Sequence, residues 1–232
     1  MKSLTTLFGL LLIYFTSIAQ EVHERMHING GSELWANFMK EMFLYPEFND
    51  GTIRYHNGMT FARKVNYNRI LETIQFIDEK GDTLAIADET AVKDIIVKND
   101  TFIYNPECLE VINANNSLQL LKHEKMRIAD IRRKGLYGIP NTSSAMESIN
   151  MVYTWMNSYQ VDVNELLLLS KTINYYVKSA DGEKVSASRK NILAMFPEKR
   201  DDLKKFIDEK KINFNKEADL SRLVSYIGTA SQ

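Results

Sequence analysis

The stretch Gly51–Tyr67, GTIRYHNGMTFARKVNY, decides the fold class of this chain. Its midpoint is Asn57-Gly58, a dipeptide that favours a two-residue turn because both residues tolerate positive φ angles. On either side of this turn, apolar residues such as Ile53 and Val65 fall on alternating positions, which is the period of a strand with one buried face. The stretch therefore predicts a β-hairpin.

Outward from the hairpin, strand patterns and turns alternate as far as Ile131. Turn residues recur at 79–82, Asn99-Asp100 and Asn115-Asn116, and a spacing of roughly 8–12 residues is typical of antiparallel sheets. Helical patterns of the length that a parallel α/β sheet needs do not occur between them. We therefore predict that residues 43–131 form an antiparallel β-meander of about seven to nine strands, either an open curved sheet or a barrel-like one.

Residues 132–163 follow neither the strand period nor the helix period. Glycine, proline, serine and threonine interrupt them at Gly135, Gly138 and Pro140–Ser144, and such clusters mark loops. We interpret this region as a linker or an insertion. Beyond it, Leu166–Val177 is rich in apolar and β-branched residues and predicts a strand, although Leu166–Leu169 also suits the start of a helix.

Residues 164–232 are predicted to form a β-hairpin and a helical tail that packs on the β domain. Ser188 is the expected N-cap of a first short helix, which ends before Pro197. Pro197 suits the first turn of a second helix, and Asn215 is the expected N-cap of a third. Apolar residues at helical spacing give these helices one buried face. Meander and helical tail together predict an α+β fold.

The first 19 residues have the pattern of a signal peptide. Lys2 supplies a positive charge, residues 7–15 are apolar, and Ser17 and Ala19 are the small residues that precede a signal-peptidase site. The apolar run is shorter than the roughly 20 residues of a transmembrane helix. We expect cleavage before Gln20, which leaves residues 20–42 as an N-terminal segment. The protein is then exported to the periplasm or the exterior without a transmembrane segment.

Composition bears on the partners and on the chemistry. The formal net charge at pH 7 is −1, from 29 basic and 30 acidic residues that are intermixed along the chain. Charge therefore gives no reason to expect nucleic acid as a partner. Cys108 is the single cysteine, so a disulfide within the chain is impossible. Its place in an alternating segment indicates a strand residue and not a nucleophile.

One string has the residue types of a specific chemistry, HERMH at residues 23–27. On a helix, His23 and His27 share a face and can bind one zinc ion, while Glu24 can act as a general base on a metal-bound water. Glu33 stands where the extended metzincin motif has its third ligand. The string predicts, as an alternative function, a secreted zinc metallopeptidase.

The same string has a competing interpretation without a metal. Asn29, Gly30 and Gly31 would end such a helix at once, and an isolated helix of so few residues is marginal in water. The segment is then a frayed N-terminus. The sequence contains neither a phosphate-binding glycine loop nor paired cysteines at zinc-ribbon spacing.

The other polar residues that attract attention are interpreted as ordinary strand residues. These are His56, His123 and the exposed carboxylates Glu107 and Glu110, whose spacing in the sequence does not establish an acid–base pair. We therefore expect an exported, non-enzymatic binding or envelope-associated structural module without a cofactor and with an unknown partner. In one form of this hypothesis, the curved sheet holds an apolar ligand such as a lipid.

Five segments resemble a pattern that recurs in exported Bacteroidota proteins: Phe43–Thr52 (FLYPEFNDGT), Asn57-Gly58, Asn66–Asn68, Phe102–Tyr104 and the tail Phe196–Tyr226. That family has a β-meander followed by a short helical tail, and no activity is assigned to it. The resemblance covers roughly residues 43–131 and 175–226 and departs across 132–174. Because the matching positions are turns and core residues, the resemblance implies export and this architecture, and it implies no activity.

Overall fold

The computed structural model describes residues 22–29, 34–134, 140–143, 165–179 and 182–229 of the chain. The predicted signal peptide and most of the region interpreted as a linker or insertion lie outside these residues. The described part consists of one large antiparallel sheet, a helix near the N-terminus and a C-terminal group of short helices. The predicted α+β class is confirmed.

Within the described residues the sheet has twelve strands. In chain order they are β1 (Val22–Asn29), β2 (Asn49–Tyr55), β3 (Thr60–Asn68), β4 (Thr73–Ile77), β5 (Thr83–Ala85), β6 (Val92–Val97), β7 (Asp100–Tyr104), β8 (Cys108–Ala114), β9 (Gln119–Lys134), β10 (Pro140–Ser143), β11 (Glu165–Lys178) and β12 (Val185–Ser186). The α-helices are α1 (Leu34–Met42), α2 (Arg189–Met195), α3 (Arg200–Glu209) and α4 (Glu217–Thr229).

The strand order is β1-β11-β9-β8-β7-β6-β2-β3-β4-β5, with β10 beside β9 and β12 beside β11. Strands β2 to β5 form one meander and β6 to β9 form another. After β5 the chain returns across the first meander and places β6 antiparallel to β2. The sheet does not close on itself, so the open form is the correct one. Eight strands lie within the predicted meander, as expected, and four lie outside it.

The sheet is strongly curved. The turn between β3 and β4 touches β9, although β2, β6, β7 and β8 separate these strands in the strand order. Met126 N–H on β9 donates to the carbonyl of Arg69 at 2.9 Å, and Tyr67 Oη–H donates to the carbonyl of Glu124 at 2.7 Å. The part of β9 beyond its pairing with β8 thus finds a backbone partner in this turn, as buried backbone groups require.

Two clusters of buried apolar side chains pack against the sheet, and further buried apolar residues, among them Phe38, Leu109 and Leu169, belong to neither cluster. The first lies among the strands of the two meanders and includes Ile53, Val65, Ile74 and Phe102. The second joins the helical tail to β9 and β11 and includes Leu120, Val177, Ile192, Leu193, Leu203, Ile207, Leu220, Leu223, Val224 and Ile227. The register places Phe102 of the first cluster in one row with Glu110 and Lys122.

Two turns differ from their predictions. Tyr55 N–H donates to the carbonyl of Met59 at 2.9 Å, so three residues and not two form the first hairpin loop. In that loop Gly58 has a φ of +88°, whereas Asn57 has no positive φ, which is the pattern of a three-residue loop that ends in a left-handed glycine. In the β6–β7 hairpin, where Asn99-Asp100 was the predicted turn, Val97 pairs with Asp100, so Lys98 and Asn99 form the turn.

In the helical tail, the predicted buried faces of the helices agree with the structure better than the predicted N-cap residues do. Ser188 Oγ accepts from Asn191 N–H and caps α2 as expected. Pro197 opens a 3₁₀ turn, Pro197–Lys199, that leads into α3. Asn215 does not cap α4, which begins at Glu217; its backbone N–H instead donates to Asn213 Oδ1. The start of α4 therefore depends on hydrogen bonds within segment 210–216, which a prediction from one N-cap residue does not consider.

The stretch Leu166–Val177 lies in β11, so the strand prediction is correct and the helical start is wrong. Pairing with β9 along almost the whole strand explains this result, because it satisfies the backbone on that edge. Among the described residues, the helices are too short or too polar to cross a membrane.

Candidate functional site

The zinc string lies in β1, an edge strand, and not in a helix. Residues Val22–Asn29 pair with β11 along their whole length, with His23 opposite Thr172 and His27 opposite Leu168. A strand rises about 3.3 Å per residue, which places the two histidine Cα atoms about 13 Å apart; four residues of helix span about 6 Å. Both interpretations of this segment, a short helix and a frayed terminus, are wrong for residues 22–29. Sheet pairing supplies the backbone partners that an isolated turn lacks.

Glu24, the expected general base, contacts a lysine. Its carboxylate lies 2.9 Å from Lys171 Nζ on β11. The hydrogen bond and the charge of Lys171 lower the pKa of Glu24, which makes it a weaker base. Glu33 lies outside the described residues. Within the described part, no group of three or more His, Cys, Asp or Glu side chains is arranged to hold a metal ion. Zinc binding by His23 and His27 stays a prediction.

A network of charged side chains lies between the two apolar clusters. Lys122 Nζ on β9 lies 2.7 Å from a carboxylate oxygen of Glu110 on β8 and 3.4 Å from one of Glu217, the first residue of α4. The side chains of Lys122 and Glu110 are only 13% and 15% exposed. Burial raises the pKa of Glu110, and neighbouring acids add to this effect. Burial lowers the pKa of Lys122, but the surrounding carboxylates outweigh it and hold that pKa above its usual value.

A second ion pair closes this region. Arg69 Nε lies 2.5 Å from Glu124 Oε1, and both side chains are largely buried. The cavity beside the two ion pairs has a volume of about 10 Å³, and its lining includes Tyr67, Glu110, Lys122 and Glu124. A single water molecule needs about that much space. The buried acids and bases therefore neutralise one another in a site too small for a substrate.

His123, interpreted from the sequence as an ordinary strand residue, has an acidic partner. Its Nε2 lies 3.0 Å from Glu72 Oε2, and the imidazole is buried. Glu72 has a φ of +57°, which is uncommon for a residue with a side chain. The close contact with His123 lowers the pKa of Glu72 even though burial opposes this shift. Asn174 stands opposite His123 on β11, and its Oδ1 is buried without a hydrogen-bond partner among the described residues.

The remaining candidate residues from the sequence, Glu107, Glu110 and Cys108, do not form a common site. Glu107 pairs with Lys184, and Glu110 pairs with Lys122, so the two carboxylates do not form an acid–base pair with each other. The interpretation of Glu110 as an exposed carboxylate is wrong, because the helical tail covers its end of the sheet. Cys108 lies in β8 as predicted and is buried. Burial raises the pKa of its thiol, which disfavours the reactive thiolate.

An open groove of about 380 Å³ lies between the β8–β9 turn and the end of α4. Its lining is uncharged: Asn113, Ala114, Asn115, Asn116, Ser117, Ser225, Gly228 and Thr229. Small-molecule sites typically have volumes of roughly 300–1,000 Å³. The groove has room for a ligand, and its walls offer amides and hydroxyls without an acid, a base or a thiol.

Hydrogen bonds hold the two walls of the groove together. Asn113 Nδ2 donates to Ser221 Oγ at 2.9 Å and to Ser225 Oγ at 3.0 Å. Asn115 Nδ2 donates to the carbonyl of Val224 at 2.8 Å, while its Oδ1 accepts from the backbone of the turn. At Gly228, a Cβ atom would come within 2.7 Å of the Asn115 amide. The close approach of turn and helix therefore requires glycine.

Comparisons with known proteins find no family model that matches this chain, no similar curated protein and no similar solved structure. What the chain can do is therefore argued from these sites.

Sequence reasoning missed the groove and the charged network for one reason. Asn113 and Ser225 are more than a hundred positions apart, as are Asn115 and Val224. The polar pair Asn115-Asn116 indicated a turn, which the structure has, but the helix that faces the turn left no mark in the sequence around it. The sequence likewise does not distinguish Lys122 and Glu110 from an exposed ion pair, because it does not show that both side chains are buried.

Proposed function

We propose that this protein is an exported, non-catalytic binding module of the bacterial cell envelope. Export rests on the signal-peptide pattern of residues 1–19. Within the described residues, the observation that supports binding over catalysis is that the buried charged groups lie apart from the open groove. The buried acids and bases pair with one another beside a cavity for one water, whereas the open groove is lined by uncharged groups. An enzyme needs its reactive groups within reach of a bound substrate.

The lining of the groove favours a polar ligand over the apolar one considered from the sequence. Amides and hydroxyls of Asn113, Asn116, Ser117 and Ser225 surround it. A lipid chain in this position would bury polar groups without giving them partners, which costs free energy. A ligand with hydrogen-bonding groups of its own avoids that cost.

The export part of the proposal is tested with the full chain in a Bacteroidota host. We expect the protein in the periplasmic or surface fraction, with Gln20 as its N-terminal residue. Recovery of the uncut chain from the cytoplasm would contradict it. An Ala19→Arg variant, which removes the small residue before the cut, should accumulate uncleaved.

The binding part is tested by sedimentation of the mature protein, begun at Gln20 and carrying no tag. We expect it to sediment with isolated cell envelopes and to remain in solution with vesicles made from the extracted lipids. In parallel, peptide, ester and glycoside substrates are offered to the protein. Turnover that His123→Ala abolishes, without sedimentation, would contradict a binding module and make the His123–Glu72 pair catalytic.

The zinc metallopeptidase alternative has its own measurement. Metal content is determined for the mature protein after dialysis against a weak chelator and compared with a His23→Ala, His27→Ala variant. Because these histidines lie in a strand, we expect little zinc in either protein. Near-stoichiometric zinc in the parent that the variant loses would restore the alternative and justify a protease screen.

A further inference from the structure

The groove beside the β8–β9 turn has a composition that restricts the chemistry of its ligand. Its lining residues are asparagines, serines, a threonine, an alanine and a glycine. It therefore lacks a charge to pair with an ionic ligand and an aromatic face or an aliphatic pocket to hold an apolar one. What it offers to a ligand is hydrogen bonds.

Some of this hydrogen-bonding capacity is not used within the protein. Asn113 and Asn115 are tied to α4. Asn116 and Ser117 also line the groove, and among the described residues no partner accepts from or donates to either side chain. These two side chains stand on a turn whose position the bonds of Asn115 fix. A ligand would meet them on a rigid support, which reduces the entropy lost on binding.

The α4 side of the groove adds two hydroxyl groups, those of Ser225 and Thr229. Ser225 Oγ accepts from Asn113 and Thr229 Oγ1 donates to the carbonyl of Tyr226, so each hydroxyl keeps capacity for a further hydrogen bond. Because the lining carries no charge, the groove suits a neutral ligand that is rich in hydroxyl groups.

We propose that this groove binds a neutral saccharide, and the assignment rests on the proposed function of an exported binding module. A saccharide presents several hydroxyl groups that donate and accept, which matches a wall of amides and hydroxyls. A peptide would fit less well, because extended peptides are recognised through a free strand edge and pockets for alternate side chains. At the β8–β9 turn the chain reverses, and the groove offers neither feature.

The test is a titration of the ¹⁵N-labelled mature protein with maltotriose, chitotriose and, as a charged counterpart, trigalacturonic acid. The backbone and side-chain amides of Asn113, Asn115 and Asn116 report on the groove directly. We expect a neutral trisaccharide to shift these signals and those of Ser225–Thr229, and the acidic one to bind at least about tenfold more weakly. If none of the three sugars moves these signals, or if only the acidic one does, the proposal is wrong.

Substitutions at two alanines provide a test variant and a matched control. Ala114 ends β8, is exposed and lines the groove, whereas Ala85 ends β5, is equally exposed and lies at the far edge of the sheet. Ala114→Trp should fill the groove and lower the affinity for the neutral sugar at least about tenfold. Ala85→Trp should leave that affinity unchanged. Equal affinity in both folded variants would overturn the groove as the site. If the protein still sediments with cell envelopes but binds none of the sugars, the saccharide assignment is wrong and the proposal of an exported binding module is retained.

Discussion

At the scale of single residues, Lys122 holds two carboxylates together in a site that is mostly shielded from water. It contacts Glu110 on the neighbouring strand and Glu217 at the start of α4. Removing one member of a buried ion pair is costly because the remaining charge loses its partner while it stays buried. The contribution of Lys122 to stability is therefore the neutralisation of its neighbours.

We predict that Lys122→Met lowers the free energy of unfolding by about 3 kcal/mol. Urea denaturation of the mature protein measures this. The matched control is Lys204→Met on α3, whose partner Asp201 is almost fully exposed; we expect a change within about 0.5 kcal/mol. Adding Glu110→Leu to Lys122→Met should recover most of the loss. An effect of Lys122→Met no larger than that of the control would show that water reaches this network.

The Glu72–His123 pair predicts a dependence of stability on pH. His123 lowers the pKa of Glu72 below its ordinary value of 4.5, and the nearby charges of Lys125 and Arg127 act in the same direction. A carboxyl whose folded-state pKa is lowered stabilises the fold above its ordinary pKa, and this contribution is lost as the pH falls through the folded-state value.

The measurement compares the unfolding free energies of the parent and Glu72→Gln between pH 7 and pH 3. We expect the parent to be more stable at pH 7 and the difference to shrink as the pH falls below about 4.5. Glu79→Gln is the control, because Glu79 is exposed and, among the described residues, its ion-pair partner is Arg63 at the surface. A difference between parent and Glu72→Gln that stays constant over the range would contradict the assignment.

At the scale of elements, Gly228 decides how closely α4 approaches the β8–β9 turn. Glycine inside a helix usually costs about 1 kcal/mol relative to alanine, so an alanine here would normally stabilise the protein. The Cβ atom of alanine would, however, lie 2.7 to 3.0 Å from the side chain of Asn115. Three hydrogen bonds restrain that side chain.

We therefore predict that Gly228→Ala destabilises the protein by about 1–3 kcal/mol, the usual cost of overpacking. In the background of Asn115→Gly, which removes the contacting side chain, the same change should stabilise it. Thermal unfolding of the four proteins in this cycle shows the reversal of sign. A stabilising effect of Gly228→Ala in the parent would mean that the turn moves away at little cost.

At the scale of the whole molecule, two of the apolar clusters in the described part have charged residues between them. The helical tail covers one end of the inner face, around Leu120 and Val177. The curved meanders cover the other end, around Ile74 and Phe102. Because no described side chain belongs to both clusters, local opening at one end need not open the other.

Hydrogen exchange tests this division. Leu220→Ala creates a cavity in the tail cluster, where Leu220 is fully buried, and costs about 2–5 kcal/mol. We expect faster exchange in β8, β11 and the part of β9 that they flank, with less change in β3 and β4. Ile74→Ala is the matched change in the other cluster and should give the opposite pattern. Equal acceleration everywhere in both variants would show that the molecule opens only as one unit.

The sequence by itself determined the local elements of this protein. Alternation around Ile53 and Val65 predicted the strands, and Ser188 predicted the start of α2, because these signals depend on residues within a few positions of one another. The predicted faces of the tail helices are likewise correct. The errors fall at Gly58, Asn215 and β1, where a loop length, a cap or pairing with a distant strand overrode the local signal.

Only the tertiary structure decided the strand order, the burial of Lys122 and the existence of the groove. The chain returns after β5 and places β6 beside β2. Which strand edges pair in this way is not determined by the local alternation of apolar and polar residues. An amide at Asn113 and a hydroxyl at Ser225 become one site because the tail folds back onto the sheet. Burial, and with it the charge state and the partners of a polar side chain, arises from such contacts between residues far apart in the chain.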